Sequence, residues 1–179
     1  MSALSTTYAA SLFSLAEDEG LTENVMSEIC EIDTLLKDNK EYQLLLNSPT
    51  VSLTQRLSLI DEAFSSAHEY VRNFLKLLCE KKCVHVFSEC VKEYKKIYNQ
   101  KNNIENVIVI TAVPLSDTLE DKLHAKLEKE WGKKVILEPR VDKSILGGII
   151  LRTENSQTDA SVRSRLDAIK AQLSSEQID

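Results

Sequence analysis

The chain of 179 residues has a formal net charge of −6, with 42% hydrophobic and 28% charged residues. That suits one ordinary domain or two small ones, with enough apolar material for a core and a soluble surface. Residues 1–103 carry 11 basic against 15 acidic side chains and residues 104–179 carry 11 against 13, so neither half is a basic footprint and generic nucleic-acid binding is disfavoured.

The first hundred residues read as helices. Helix one carries Leu4, Tyr8, Leu12 and Leu15, with Ala9, Phe13 and Ala16 beside them, and Gly20 ends it. These are two offset apolar rows where an edge helix needs one. Either both rows are core, or one is left for a partner. Helix two, from Thr22 to Asp38, places Val25, Ile29, Ile32 and Leu36 at helical spacing. A short third helix holds Leu44, Leu45 and Leu46 and is broken at Asn47-Ser48-Pro49. Ser52 and Gln55 form a capping box for a fourth, whose inner stripe is Leu53, Leu57, Ile60 and Phe64. Helix five buries Val71, Phe74, Leu75 and Leu78. Helix six steps through Val84, Phe87, Val91, Tyr94 and Tyr98. The expectation is a six-helix bundle over residues 1–103, closed by the polar stretch Asn99-Gln100-Lys101-Asn102-Asn103 as a hinge.

The pattern then changes. Val107 to Val113 is a short, β-branched run stopped by Pro114, and Ser116 can cap a helix with Leu119, Leu123, Leu127 and Trp131 on its inner face. After Gly132 comes VILEPRVDKSILGGIILRTE, residues 135–154. It reads as a kinked hairpin: a strand, a tight turn at Asp142-Lys143-Ser144, and a second strand containing Gly147-Gly148. Residues 153–158 read as a loop. A last helix starting near Asp159 is expected to bury Val162, Leu166, Ile169 and Leu173. The fold class is therefore α+β, the helical bundle being followed by a small β-α-β-β-α domain over residues 104–179.

No catalytic constellation stands out. His68 and His124 read as structural or solvated, and adjacent acids such as Glu17-Asp18 and Glu120-Asp121 splay apart on a helix. Cys79 and Cys83 share a helical face near His85 and Cys90, but without a C-x-x-C pair and among apolar neighbours they read as core thiols rather than a metal site; Cys30 completes the set. The Lys81-Lys82 and Lys95-Lys96 pairs are solvated faces or contacts to a partner or to anionic lipid. From Met1 to Leu36 there is no Lys or Arg, while Glu17, Asp18, Glu19, Glu23, Glu28, Glu31 and Asp33 are acidic. That fits neither a secretory signal nor a mitochondrial presequence, and no apolar run approaches the roughly 20 residues that span a bilayer. A cytosol-like compartment is expected.

Val141-Asp142, Ile145, Gly147-Gly148-Ile149, Leu151-Arg152 and Glu154 together resemble the C-terminal signature of F-type ATP synthase delta subunits. The mitochondrial relative of that family is the oligomycin-sensitivity-conferring protein. Asp159-Ala160-Ser161-Val162, with Arg163, Arg165 and Leu166, resembles the segment before the family's last helix, and Tyr8-Ala9, Leu12-Phe13 and Ala16 resemble its first helix. The resemblance implies a non-catalytic peripheral-stalk subunit, without cofactor or metal, present in one copy in a hetero-oligomeric complex. It would link the alpha/beta catalytic head to the membrane-anchored b subunits, so that ion flow couples to ATP synthesis, on the cytoplasmic face of a bacterial plasma membrane and without inserting into it. Carried over by position, the groove for the N-terminal helix of an alpha subunit falls on Tyr8, Leu12 and Phe13 of helix one and Asn73, Leu77 and Glu80 of helix five. Contact with the C-terminal end of the b subunits falls near Arg163, Arg165 and Ile169. Lys81-Lys82-Cys83 stands where many members carry Asn-x-Arg, and Glu154 where Gly is common. Setting the resemblance aside, the residues suit a cytosolic helical adaptor module that binds an amphipathic partner helix.

Overall fold

The computed structural model describes residues 3–48, 50–154 and 156–175, with side chains for residues 4–168 among them. The chain divides into two compact units, Met1–Asn99 and Gln100–Asp179. Helices and a four-stranded sheet make it an α+β protein.

The described residues of the first unit form α1 (Ala3–Asp18), α2 (Thr22–Asp38), α3 (Lys40–Asn47), α4 (Leu53–Ala63), α5 (Glu69–Glu80) and α6 (Phe87–Lys101), with a 3₁₀ turn at Val84–Val86 leading into α6. Their ends follow from local chemistry. Gly20 (φ +69°) closes α1, with the Leu21 N–H donating to the Ala16 carbonyl at 2.8 Å and the Gly20 N–H to Glu17 at 3.1 Å. Ser52 and Gln55 cap α4 reciprocally. His68 caps α5 by accepting from the Tyr70 N–H at 3.3 Å, while its own N–H donates to Glu28 at 2.7 Å. Pro49, read as the breaker of α3, lies outside the described residues; Ser48 before it is extended.

Period-3.6 stripes from all six helices meet in one core that includes Phe13, Val25, Ile29, Leu36, Leu46, Ile60, Leu75, Leu78, Phe87 and Tyr94. The Phe13 and Tyr94 rings lie 5.3 Å apart, and the Tyr94 hydroxyl donates to the Thr22 carbonyl at 3.1 Å. Where the α4 stripe was expected to include Leu53, that residue is exposed and Arg56 is buried instead. The Arg56 guanidinium donates to the Leu46 carbonyl at 3.0 Å, and the Cys79 thiol donates to the same oxygen at 3.5 Å, so a single carbonyl ties α3, α4 and α5. Burial pushes the thiols of Cys79, Cys83 and Cys90 up, the last to about 11, which keeps them protonated at neutral pH.

The second unit contains β1 (Ile104–Thr111), α7 (Asp117–Trp131), β2 (Lys134–Val141), β3 (Ile149–Arg152), β4 (Gln157–Asp159) and α8 (Val162–Ser175). The strand order is β2-β1-β3-β4, with β2 parallel to β1 and the other pairs antiparallel. This corrects the expected hairpin: β2 and β3 flank β1 rather than pairing with each other. The Asp142 N–H donates to Thr111 at 2.8 Å and holds the end of β2 against β1. A 3₁₀ turn at Lys143–Ile145 and the left-handed Leu146 (φ +64°) then carry the chain across the end of β1 to its other edge. Part of the stretch read as the 153–158 loop is β4, and Asn155 within it lies outside the described residues. One face of the sheet, with Val107, Val109 and Val135, packs on Leu127 of α7, with Leu123, Trp131, Leu137, Ile149 and Leu151 around them. Leu119, expected inward, is exposed.

Candidate partner-binding surfaces

Tyr8 meets Phe74 edge-on at 6.4 Å, and the charge of Glu19, just beyond the end of α1, lies near enough to Tyr70 at the start of α5 to push its hydroxyl pKa up. These two contacts set α1 and α5 side by side and antiparallel. Helix geometry then divides the apolar residues of α1. Ser5, Ala9, Leu12, Phe13 and Ala16 face the core, Leu12 and Phe13 being 4% exposed each. Leu4, Tyr8, Ser11 and Leu15, spaced 4, 3 and 4, run along the flank towards α5. Leu4 is 46% exposed, Leu15 is 51% exposed and Tyr8 is half-buried. On α5, Asn73, Leu77 and Glu80 are exposed. The result is a shallow apolar notch with Tyr8 over Phe74 as its floor. Of the positions carried over from the resemblance, Tyr8 is half-buried against Phe74, Asn73, Leu77 and Glu80 are exposed on α5, and Leu12 and Phe13 are buried in the core. Leu4 and Leu15 were missed as site residues. Their period-3.6 register with Tyr8 was visible in the sequence, but the core side of the helix was not.

The electrostatics are lopsided. Arg72 and Lys76 of α5 turn away to Asp61 of α4, at 3.8 and 2.6 Å. The rim left beside the notch carries Asp18, Glu19, Glu69 and Glu80, all exposed. The last turn of α1 holds Glu17 and Asp18 with no basic residue, at the negative end of the helix dipole.

A second surface lies on α8. Its start is clamped to β3: the Ala160 N–H donates to Ile149 at 2.9 Å and the Val162 N–H to Gly147 at 3.0 Å. Asp159 accepts from the Ser161 N–H at 2.8 Å and the Ser164 hydroxyl at 2.6 Å, bonds that hold its carboxyl below the usual range, and the Ser161 hydroxyl caps the Ser164 N–H at 3.2 Å. Val162 and Leu166, expected to be buried, are 44% and 47% exposed. Arg163 and Arg165 are exposed as well, Arg163 reaching the Ser144 carbonyl at 3.4 Å. The side chains of Ile169 and Leu173 lie outside the described residues. His124 is a structural link: its Nε2 lies 2.8 Å from the Val135 carbonyl, which joins α7 to the β2 edge.

The family model described as ATP synthase delta (OSCP) subunit matches residues 4–173. The chain belongs to the ATP synthase delta (OSCP) subunit family. A delta subunit of Clostridioides difficile is 36% identical over 169 residues, covering 93% of each chain, and one of Flavobacterium johnsoniae is 32% identical over 93% of this chain and 94% of the other. A chain in the cryo-EM structure of the Toxoplasma gondii mitochondrial ATP synthase hexamer superposes with a TM-score of 0.73 at 25% identity, over 96% of this chain and 98% of that one. The delta/OSCP family is a structural, non-catalytic component of ATP synthase that belongs to the peripheral stalk and serves the linkage of catalytic head to stator.

Proposed function

We propose that the α1–α5 notch holds the N-terminal helix of an ATP synthase alpha subunit and that α8 meets the C-terminal end of the b subunits. In this reading the protein stands in one copy, peripherally, on the cytoplasmic face of a bacterial plasma membrane. The observation that carries it is that Leu4 and Leu15, in register with the half-buried Tyr8 on α1, and Leu77 on α5 are exposed on an otherwise well-packed helical unit. A stripe of that width matches one face of an amphipathic helix. Among the described residues no group of three or more His, Cys, Asp or Glu side chains could hold a metal ion. The role is mechanical: contacts that outlast each turnover of a machine under torque. The Val162–Leu166 turn of α8, flanked by Arg163 and Arg165, suits a helix with acidic residues beside its apolar stripe. The test is binding of a synthetic alpha-subunit N-terminal peptide to the full chain and to Leu15→Ala, with Leu166→Glu assayed against the b subunits. Loss of peptide binding in the first variant and of b binding in the second is expected. Unchanged binding in both discards this assignment of surfaces.

A further inference from the structure

Acids at the end of α1 sit where the backbone dipole disfavours them. Asp18 is exposed there, and the helix is closed by backbone bonds from Gly20 to Glu17 and from Leu21 to Ala16. Glu19 and Glu69 lie at the same end of the notch, the first just past the end of α1 and the second opening α5, and the charges of both act on Tyr70. The α5 cations that would neutralise them are drawn off to Asp61. The opposite end, near Leu4 and Leu77, has Glu80 followed by Lys81 and Lys82 and is electrically mixed. An apolar notch with one negative end has a polarity.

We infer that the notch selects an amphipathic helix by charge as well as by shape, taking one whose apolar stripe runs into two or more Lys or Arg residues at a single end, and seating that end over Asp18, Glu19 and Glu69. This rests on the notch being a helix-binding site and adds the orientation of its occupant. Exposed rim charges of this kind act on orientation and encounter rate and are sensitive to salt, whereas the apolar anchors set the residence time.

The experiment uses the full chain and three synthetic helices with one shared apolar stripe: lysines at the N-terminal end, lysines at the C-terminal end, or glutamates at both. Affinity is measured at low and high salt. One lysine peptide is expected to bind about tenfold tighter than the glutamate peptide, with the advantage shrinking as salt rises. Asp18→Lys should erase most of that advantage while raising the Tm of the free chain by about 2 °C, because it relieves the helix dipole. A merely structural role for Asp18 would move Tm and binding in the same direction. Equal, salt-independent binding of all three peptides, abolished by Leu15→Glu, overturns the polarity and leaves the notch intact. Binding of none of them overturns the helix-binding reading and this inference with it.

Discussion

A Cβ placed on Gly148 would overlap the carbonyl oxygen of Ala160 and stand 2.9 Å from the Ser161 Cα, with the Gly148 backbone at φ +83°. Two stretches that looked like separate landmarks in the sequence are thus one contact: the glycine pair is small because the start of α8 lies against it. Both backbone strain and collision oppose a side chain here. Gly148→Val is therefore expected to destabilise the second unit by about 3 kcal/mol or more, as read by the fluorescence of the chain's single Trp, Trp131. Gly147→Ala should be milder, since its Cβ would meet only the Val162 Cγ2 at 3.3 Å. A Gly148→Val protein as stable as the parent refutes the close-approach argument.

Asp159 gives the same junction a pH dependence. The Ser164 hydroxyl and the Ser161 N–H hold its carboxyl below the ordinary value. A carboxyl depressed in the folded state contributes stability that is fully present above its unfolded pKa, about 4, and is lost as pH falls through the folded value. Below about pH 4 the second unit should lose stability on acidification, and Asp159→Asn should flatten that acid limb while weakening the unit at neutral pH. Acid titration of Trp131 fluorescence in both proteins checks it, and identical acid limbs would contradict it.

How legible this was in the sequence depended on the range of the interaction. Caps and stripes are local, so the Ser52–Gln55 box, the Gly20 stop and the core residues of α5 were readable from spacing alone. Strand partnership is not local. Residues 134–152 look like a hairpin because consecutive strands commonly pair, and nothing short-range announces that β1 lies between them. Burial on α1 stayed open in the sequence, and burial on α8 was misread, for another reason. Leu4, Leu15, Val162 and Leu166 have the same composition as core residues, and only the position of neighbouring helices separates a core stripe from a waiting one.

Lys82 stands in the left-handed region (φ +55°) at the position where α1 uses Gly20, with the Cys83 N–H donating to the Leu78 carbonyl at 2.9 Å. A side chain there costs about 1 kcal/mol that glycine avoids. Lys82→Gly is expected to stabilise the helical unit by about 0.5–1 kcal/mol in urea melts, leaving the second unit unchanged. A loss of stability would show that the lysine makes a contact worth more than the strain.

The helical unit should fold alone. Compactness divides the chain at Asn99 and Gln100, but α6 continues to Lys101 and Asn103 is left-handed before β1 begins. A fragment of residues 1–103 keeps α6 whole and removes no residue of the helical core. It is expected to be soluble, strongly helical and cooperative in thermal melting. A broad, non-cooperative transition would show that the second unit completes the first.

The sharpest separation concerns neighbours on α1. Leu12 and Phe13 are buried, and the Phe13 ring packs at a tilt against Tyr94, so truncating either to alanine should cost about 3 kcal/mol through the cavity left behind. Leu15 is half in solvent, so Leu15→Ala should shift stability by less than about 1 kcal/mol. Tyr8 lies between these cases, since its ring also covers Phe74. If the notch binds a helix, Leu15→Ala should keep the Tm and still weaken binding of an alpha N-terminal peptide by about tenfold or more, because an anchor at a hot spot commonly contributes 1–2 kcal/mol or more. Phe13→Ala should weaken binding only as far as it unfolds the unit, an effect that a stabilising background such as Lys82→Gly would partly restore. Measuring Tm and peptide affinity on the same samples separates the two. Leu15→Ala binding as tightly as the parent would place the partner elsewhere on the helical unit.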